Sequence, residues 1–273
     1  PDRNAILHYR GRRAFIISGQ TDSGVFDQYS IGLFGDESHE GSYRDAEDGQ
    51  LSSNNVEHGR VDSILGFSLS VEAHSSARVH YWVAAGMSTR EALFIHRQVK
   101  EQGIHARVHA TAKWWNDWMA PAKEAAARLP RQYQDRFLES IMIIKSQIDK
   151  RGAVIASTDS TLLNYSKDNY AYSWPRDGAN TVWPLIRLGY YQEAYRFFEF
   201  CQRGLHPNGY LMHKYRADGA LGSSWHPYVH GSSTTPPIQE DETALVVFVF
   251  VQFYMLSKDS SLIKDFYHSM IKP

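Results

Sequence analysis

The apolar residues of this chain repeat at every second position before Pro130 and at every third or fourth position after it. One layer cannot serve both periods. A strand turns successive side chains to opposite faces, whereas a helix returns to the same face after about 3.6 residues. In the first stretch Leu65, Phe67, Leu69, Val71 and Ala73 alternate with Gly66, Ser68, Ser70 and Glu72, which predicts a half-buried strand. Val79, Tyr81 and Val83 continue the alternation after a turn at Ser75-Ser76. Shorter runs at Ala5 to Tyr9, Ala14 to Ser18 and Gln28 to Phe34 are separated by Gly, Asp and Ser, and predict an antiparallel sandwich.

A helix interrupts this pattern. Ser88-Thr-Arg-Glu91 reads as a capping box, Ala92, Ile95 and Val99 share a face, and Gly103 is a natural stop. Met119 to Pro130 is rich in Ala and Pro and reads as a linker. Tyr133, Phe137, Ile141, Ile144 and Ile148 then mark one side of a helix, with Gly152 as its stop. Further helices are expected from about Asp177 to Leu188, Gln192 to Arg203 and Asp241 to Ser257. Ala194, Phe197, Phe198 and Cys201 give the middle one a single buried face. Ala244 to Phe250 is apolar all round, which predicts burial on every side. Half-buried and fully buried helices in alternation suit two concentric helical layers. The expected division is a β region over residues 1–118, a linker with its helix over 119–150, and a helical region over 151–273.

With 273 residues, 42% of them hydrophobic, the chain can bury a substantial core. A net charge of -1 argues against nucleic acid or an anionic membrane as partner, since both favour a basic excess. Cys201 is the only cysteine, so no internal disulfide can form, and a reducing, cytoplasmic setting is the simplest expectation. The longest apolar run, Ala244 to Phe250, is too short to span a bilayer. The chain opens on Pro1-Asp2-Arg3 without an initiator Met, which leaves room for a start inside a longer polypeptide.

Chemistry concentrates in four loops. Tyr170-Ala-Tyr-Ser-Trp174-Pro-Arg176-Asp177 stands at a helix mouth. One reading is structural: Asp177 caps the helix, Pro175 ends the preceding segment and Trp174 is core. The other is a sugar clamp. Arg offers a rigid fork of donors and Asp offers acceptors for adjacent hydroxyls, while an indole covers the apolar face of a pyranose. The remaining loops are Gly204 to Leu211 with Lys214 to Gly219, Gly222-Ser-Ser-Trp225-His226-Pro227, and Pro237-Ile238-Gln239-Glu240-Asp241-Glu242-Thr243. Asp241 and Glu242 equally suit a helix N-terminus.

The order and spacing of these four loops resemble glycoside hydrolase family 15, the glucoamylases and their prokaryotic relatives. Gly41 to Leu51, Tyr81 to Gly86, Trp114-Trp115 with Trp118, and Gly152 to Ser157 extend the resemblance over nearly the whole chain. It implies a prokaryotic N-terminal β-sandwich, a linker helix and the first helices of an (α/α)6 barrel, incomplete in this chain. It also implies hydrolysis of α-linked glucose from a non-reducing end with inversion, and no cofactor or metal. Arg176 and Asp177 match the pair that holds the terminal sugar, Trp174 matches a wall of that subsite, and Tyr170 matches a Tyr beside the catalytic base. Trp225, Gln239 and Asp241 match loops around the pocket rim. Thr234-Thr235-Pro236-Pro237 stands where fungal glucoamylases carry a Trp, a departure that bears on long starch chains.

An inverting glycosidase needs a carboxylic acid and a carboxylate roughly 6.5–9.5 Å apart. In the family both are Glu residues downstream of every motif found here, so the resemblance implies a general acid and base beyond Pro273. The expected partners are then an α-glucan or α-glucoside, the C-terminal remainder of the same polypeptide, and self-association through apolar faces around Val246, Val247 and Phe250. Starch or maltose, trehalose and dextran remain open as substrates, the last two corresponding to trehalase and glucodextranase. A non-catalytic sugar-binding or regulatory protein on the same barrel, as in the regulatory subunits of phosphorylase kinase, is the alternative class. His105 and His109 lie four residues apart, but no HExxH motif accompanies them.

Overall fold

The computed structural model describes residues 4–36, 39–158, 170–223 and 229–273. The chain divides into two compact units, Pro1–Trp114 and Trp115–Pro273.

The first unit holds two three-stranded antiparallel sheets. One has the order β1 (Ile6–Arg10), β2 (Arg13–Thr21), β6 (Val79–Gly86). The other has the order β4 (His39–Glu40), β3 (Gln28–Asp36), β5 (Val61–Gly66). The alternation in β2 and β6 is as expected: Ala14, Ile16, Trp82 and Ala84 are buried, while Tyr81 and Val83 face outward. The long strand expected from Leu65 to Ala73 does not form. Strand β5 ends at Gly66, where its partner β3 begins at Gln28, and the Asp27 carboxylate takes the Ser68 N–H at 3.1 Å. Alternation persists in the sequence, but among the described residues no strand continues the ladder past Gly66. Nor do β5 and β6 form a hairpin, since β5 pairs with β3 and β6 with β2.

Helix α1 (Thr89–Gln102) starts at its capping box. Ser88 Oγ accepts from Glu91 N–H at 3.2 Å, and Glu91 Oε2 reaches back to Met87 N–H at 2.7 Å. Its buried residues are Ala92, His96 and Val99, with Ile95 partly buried against the same core as Ala92; His96 joins this face because Trp82 Nε1 donates to His96 Nδ1 at 3.1 Å. The sequence placed residues 1–118 in a β region. The strands end at Gly86, and Ile104–Trp118 is a second helix, α2. The presumed linker holds α3 (Ala120–Ala126), whose Ala residues favour helix once Pro121 is confined to the first turn, where it removes no needed N–H.

In the second unit the described residues also form α4 (Arg131–Ser146), α5 (Pro175–Arg187), α6 (Tyr191–Gly204), α7 (Glu240–Ser257) and the short α8 (Ser261–Phe266). The α6 face of Ala194, Phe197, Phe198 and Cys201 is buried as expected. Phe198 meets Phe250 and Phe253 of α7 with ring centroids 5.2 and 5.8 Å apart, and Phe266 closes the cluster at 5.4 Å from Phe250. The expectation that Ala244 to Phe250 is buried on all sides is corrected. Val246, Val249 and Phe250 are buried, but Phe248 is 48% exposed, and Val251 and Met255 continue its stripe at the surface. Val246 and Phe250 lie in the core of this unit, Phe250 against Phe198 and Phe266.

A second cluster joins the end of α2, α3, α4, the end of α5 at Leu185 and the start of α6 at Tyr190. Tyr190 stacks on Trp118 at 4.3 Å, donates its hydroxyl to Trp118 O at 3.0 Å and accepts from Ala122 N–H at 3.3 Å. Glu193, nearly buried, takes Trp118 Nε1 at 2.8 Å and Lys145 Nζ at 3.0 Å. Among the described residues no helix is long and apolar enough to cross a membrane.

Gly152 fixes the turn between α4 and the pocket. It has φ +93°, a conformation that other L-residues adopt only at a cost, and a Cβ there would run into the backbone carbonyl of Arg196. Asp149 Oδ1 holds the same turn through the N–H groups of Arg151 and Ala153 at 2.7 and 3.0 Å. Gly152→Ala is expected to destabilise the fold by at least about 2 kcal/mol, from strain and overpacking together, in urea unfolding. A midpoint within error of the parent would contradict the packing described.

Candidate sugar pocket

Helix α5 begins with an extended residue, Trp174, and then Pro175. Pro suits this first position because its missing N–H is one the helix would leave unbonded. Arg176 and Asp177 follow in the first turn and project from the helix mouth. Gly178 comes next, with the Phe197 ring lying against it, so that a Cβ there would enter the ring. Asp177 is not the cap that one reading of the sequence suggested. The N-cap is Trp174, no side chain caps this end, and the Asp177 side chain is 56% exposed.

Helix α7 starts beside it. Gln239 is its N-cap, and Glu240, Asp241 and Glu242 form the acidic first turn. Leu211 N–H donates to Thr243 Oγ1 at 2.9 Å and His213 N–H to Pro237 O at 2.8 Å, tying the loop before β8 (Tyr215–Arg216) to this helix mouth. The strand β7 (Tyr172–Ser173) pairs with β8, and Ala156 and Ser157 N–H groups bond to Tyr172 O and Tyr170 O.

These elements surround a hollow of about 490 Å³ lined by Ala156, Tyr170, Trp174, Arg176, Asp177, His213 and Gln239. The size falls in the range of small-molecule sites. A larger hollow of about 620 Å³ runs along α2 beside Gln102, Ala106, Arg107, Ala110, Thr111 and Trp114. Its lining comes from the end of α1 and one flank of α2 and contains none of the residues singled out as a sugar clamp.

The pocket has an aromatic side and a charged side. Tyr170, half exposed, stacks on Trp174 with centroids 5.9 Å apart. Tyr172 meets the same indole edge-on at 5.9 Å, and buried Lys214 places Nζ over the Tyr172 and Trp174 rings at 4.4 and 5.5 Å. Trp174 is itself buried and donates Nε1 to His213 Nε2 at 3.1 Å, so that His213 accepts through this nitrogen. On the charged side Arg176 Nη1 donates to Gln239 Oε1 and stands 3.5 Å from Asp241 Oδ1 and 3.9 Å from Glu242 Oε1. Arg176 Nη2 bonds to Asp177 Oδ2 at 3.3 Å. A cation at the mouths of two helices opposes both dipoles, and the surrounding carboxylates compensate for that.

Of the residues singled out from sequence, Tyr170, Trp174, Arg176, Asp177 and Gln239 line this one hollow, and Asp241 touches it through Arg176. Trp225 lies outside the described residues. The sequence reading missed His213, Lys214 and Tyr172, and it treated Glu242 as a helix-terminus group. The strand pairing of β7 with β8 brings the first three together across about 40 residues, which no local motif announces. Among the described residues no group of three or more His, Cys, Asp or Glu could hold a metal ion.

The second unit thus brings an Arg-Asp pair and two aromatic rings to one hollow at two helix mouths. The family model for glycosyl hydrolases family 15 matches residues 131–273, slightly more than half of the chain, so the chain belongs to that family. Its fold is similar to that of a bacterial glucoamylase solved in complex with acarbose, at 19% sequence identity and a TM-score of 0.58. The match covers 98% of this chain and 36% of the glucoamylase, so the chain spans about a third of that structure's length. No curated protein matches the chain.

The Glu242 side chain is fully buried, and burial pushes its pKa up to about 8. Arg176 works against the rise, and Asp241 and Asp177 add to it. The unfolded chain ionises this group in the ordinary carboxylate range, about 4.3. Between that value and about 8 the folded state holds a proton that the unfolded state has lost, so stability falls as pH rises through this window. The slope is expected to be at most about 1.4 kcal/mol per pH unit and to be lost in Glu242→Gln. Urea unfolding over a pH series checks this, and an equal slope in the variant would contradict it.

Proposed function

We propose that this chain provides the terminal-sugar subsite of an inverting α-glucosidase of the glucoamylase type. Arg176 and Asp177 bind adjacent hydroxyls of a non-reducing glucose, Trp174 and Tyr170 offer it an aromatic wall, and Gln239 and Asp241 border the rim. Trp225 joins that rim by the resemblance. The observation that carries this reading is the hollow of about 490 Å³ in which five of the residues matched to the family lie side by side. Around it, α4 to α8 are proposed as helices of an (α/α)6 barrel, and the two sheets as the β-sandwich that precedes it.

The chemistry needs two opposed carboxyl groups, one to protonate the leaving oxygen and one to activate water. Asp177, Asp241 and Glu242 all converge on one guanidinium, so they balance its charge rather than flank a scissile bond. The acid and base are therefore proposed to be the family's two Glu residues, which the resemblance puts after Pro273. The substrate is a terminal α-glucoside. Maltose-type and trehalose-type sugars both present the same ring to Arg176, and their second sugar contacts loops that these motifs do not include.

Calorimetric titration with maltose, trehalose and acarbose tests the clamp. Arg176→Ala removes charge-assisted hydrogen bonds worth about 1.5–3 kcal/mol each, so the loss of one predicts roughly ten- to hundredfold weaker binding. Unchanged affinity in that variant would refute the assignment. The 273-residue chain alone should release glucose from maltose, maltotriose, starch and trehalose no faster than buffer, since positioned acid–base groups supply about 10²–10⁴-fold of rate each. Release that Asp241→Asn or Glu242→Gln abolishes would mean that the catalytic carboxylates lie within this pocket.

A further inference from the structure

Glu242 has 0% exposure, and among the described residues neither of its carboxylate oxygens has a hydrogen-bond partner. Its nearest cation is Arg176, whose Nη1 stands 3.9 Å from Oε1, beyond hydrogen-bond reach. That nitrogen already donates to Gln239, and Nη2 already holds Asp177. One guanidinium is thus contested by an amide and three carboxylates, and the contest is unequal. Asp177 and Asp241 keep 56% and 62% of their side-chain surface in water, which carries their charge. Glu242 has no water to turn to, and ionising it without a bonded counter-charge is costly.

We propose that Glu242 is a positioning residue that sets the reach of Arg176 into the pocket. While its carboxyl is neutral, the guanidinium stays forward, bonded to Gln239 and Asp177 and facing the hollow. Once ionised, Glu242 draws the guanidinium inward to close the gap between them, which takes Nη1 from Gln239 and loosens Nη2 from Asp177. The arrangement rests on the sugar-clamp reading only in its consequence for binding.

The groups that act on Glu242 are Arg176 and Asp177 from α5, Asp241 from its own helix, Cys201 from α6 and Tyr215 from β8. Burial pushes the Cys201 thiol and the Tyr215 phenol upward, so both stay neutral and neither competes for Arg176. The Glu242 proton is held up to about pH 8 and lost above it. Below that pH the clamp is forward; above it the clamp is withdrawn.

The test follows the Arg176 guanidinium signal by nitrogen NMR on either side of about pH 8, with the Glu242 carboxyl followed by carbon NMR and assigned from Glu242→Gln. The two signals should move with one midpoint in the parent chain, and the Arg176 signal should stay still in the Gln variant. An Arg176 signal that holds constant while Glu242 titrates would overturn the proposal. So would a shift that persists in the variant. If the variant does not fold, the coincidence of midpoints in the parent still decides. In parallel, maltose affinity should fall above the midpoint by up to about tenfold per pH unit, the limit for one linked proton, and Glu242→Gln should flatten that limb. Maltose binding that is pH-independent while Arg176 moves would overturn the link to sugar. Absence of maltose binding at every pH would count against the sugar clamp itself and leave Arg176 to be judged by its own signal.

Discussion

The pocket lies where it does because the Phe197 ring rests directly against Gly178. Helix α5 can approach α6 that closely only where no Cβ intervenes, and the contact falls in the same turn as Arg176 and Asp177. Phe197 is fully buried and cannot give way. The first turn of α5 is therefore fixed by the core behind it. The neighbouring mouth of α7 is held by the Leu211 and His213 N–H groups, bonded to Thr243 Oγ1 and Pro237 O, while Phe250 and Phe253 anchor the helix further along against Phe198. A close aromatic contact at one helix end and backbone hydrogen bonds at the other hold the two ends that present the polar groups.

Between those ends sits Arg176. Its charge is unfavourable at a helix N-terminus, and here it faces two of them. Acidic side chains resolve this, and they do so at different depths. Two of them share their charge with water, while Glu242 is sealed in. A buried carboxyl with no hydrogen bond would be a defect in an ordinary core. Beside a guanidinium that must be aimed, it is a means of setting where that guanidinium stands.

The opposite wall works by other means. Trp174 is buried by Tyr170 on one face and by Lys214 and Tyr172 elsewhere, and His213 holds its indole N–H. The ring cannot turn without breaking that bond. Held rings on one side and a guanidinium on the other suit the proposed pyranose, which has apolar faces and an equatorial rim of hydroxyls. Membership of glycosyl hydrolases family 15 accords with that chemistry.

Local pattern in the sequence determined a good deal. The capping box gave the start of α1, the spacing of Ala194, Phe197, Phe198 and Cys201 gave the buried side of α6, and the Trp-Pro-Arg-Asp string marked the mouth of α5. Each of these depends on residues within a few positions of one another. The tertiary structure alone decided what depends on distant partners. Alternation from Phe67 to Ala73 looks like a strand, but a strand exists only where another offers its N–H and C=O groups, and β3 ends its ladder at Gly66. The middle of α7 is apolar on every side, yet which side is buried follows from where α5 and α6 lie, so Phe248 is exposed and Phe250 is not. His213 and Lys214 reach the indole of Trp174 only through the pairing of β7 with β8. The depth of Glu242 is of the same kind, since sequence places a carboxylate at a helix terminus but only packing removes its water.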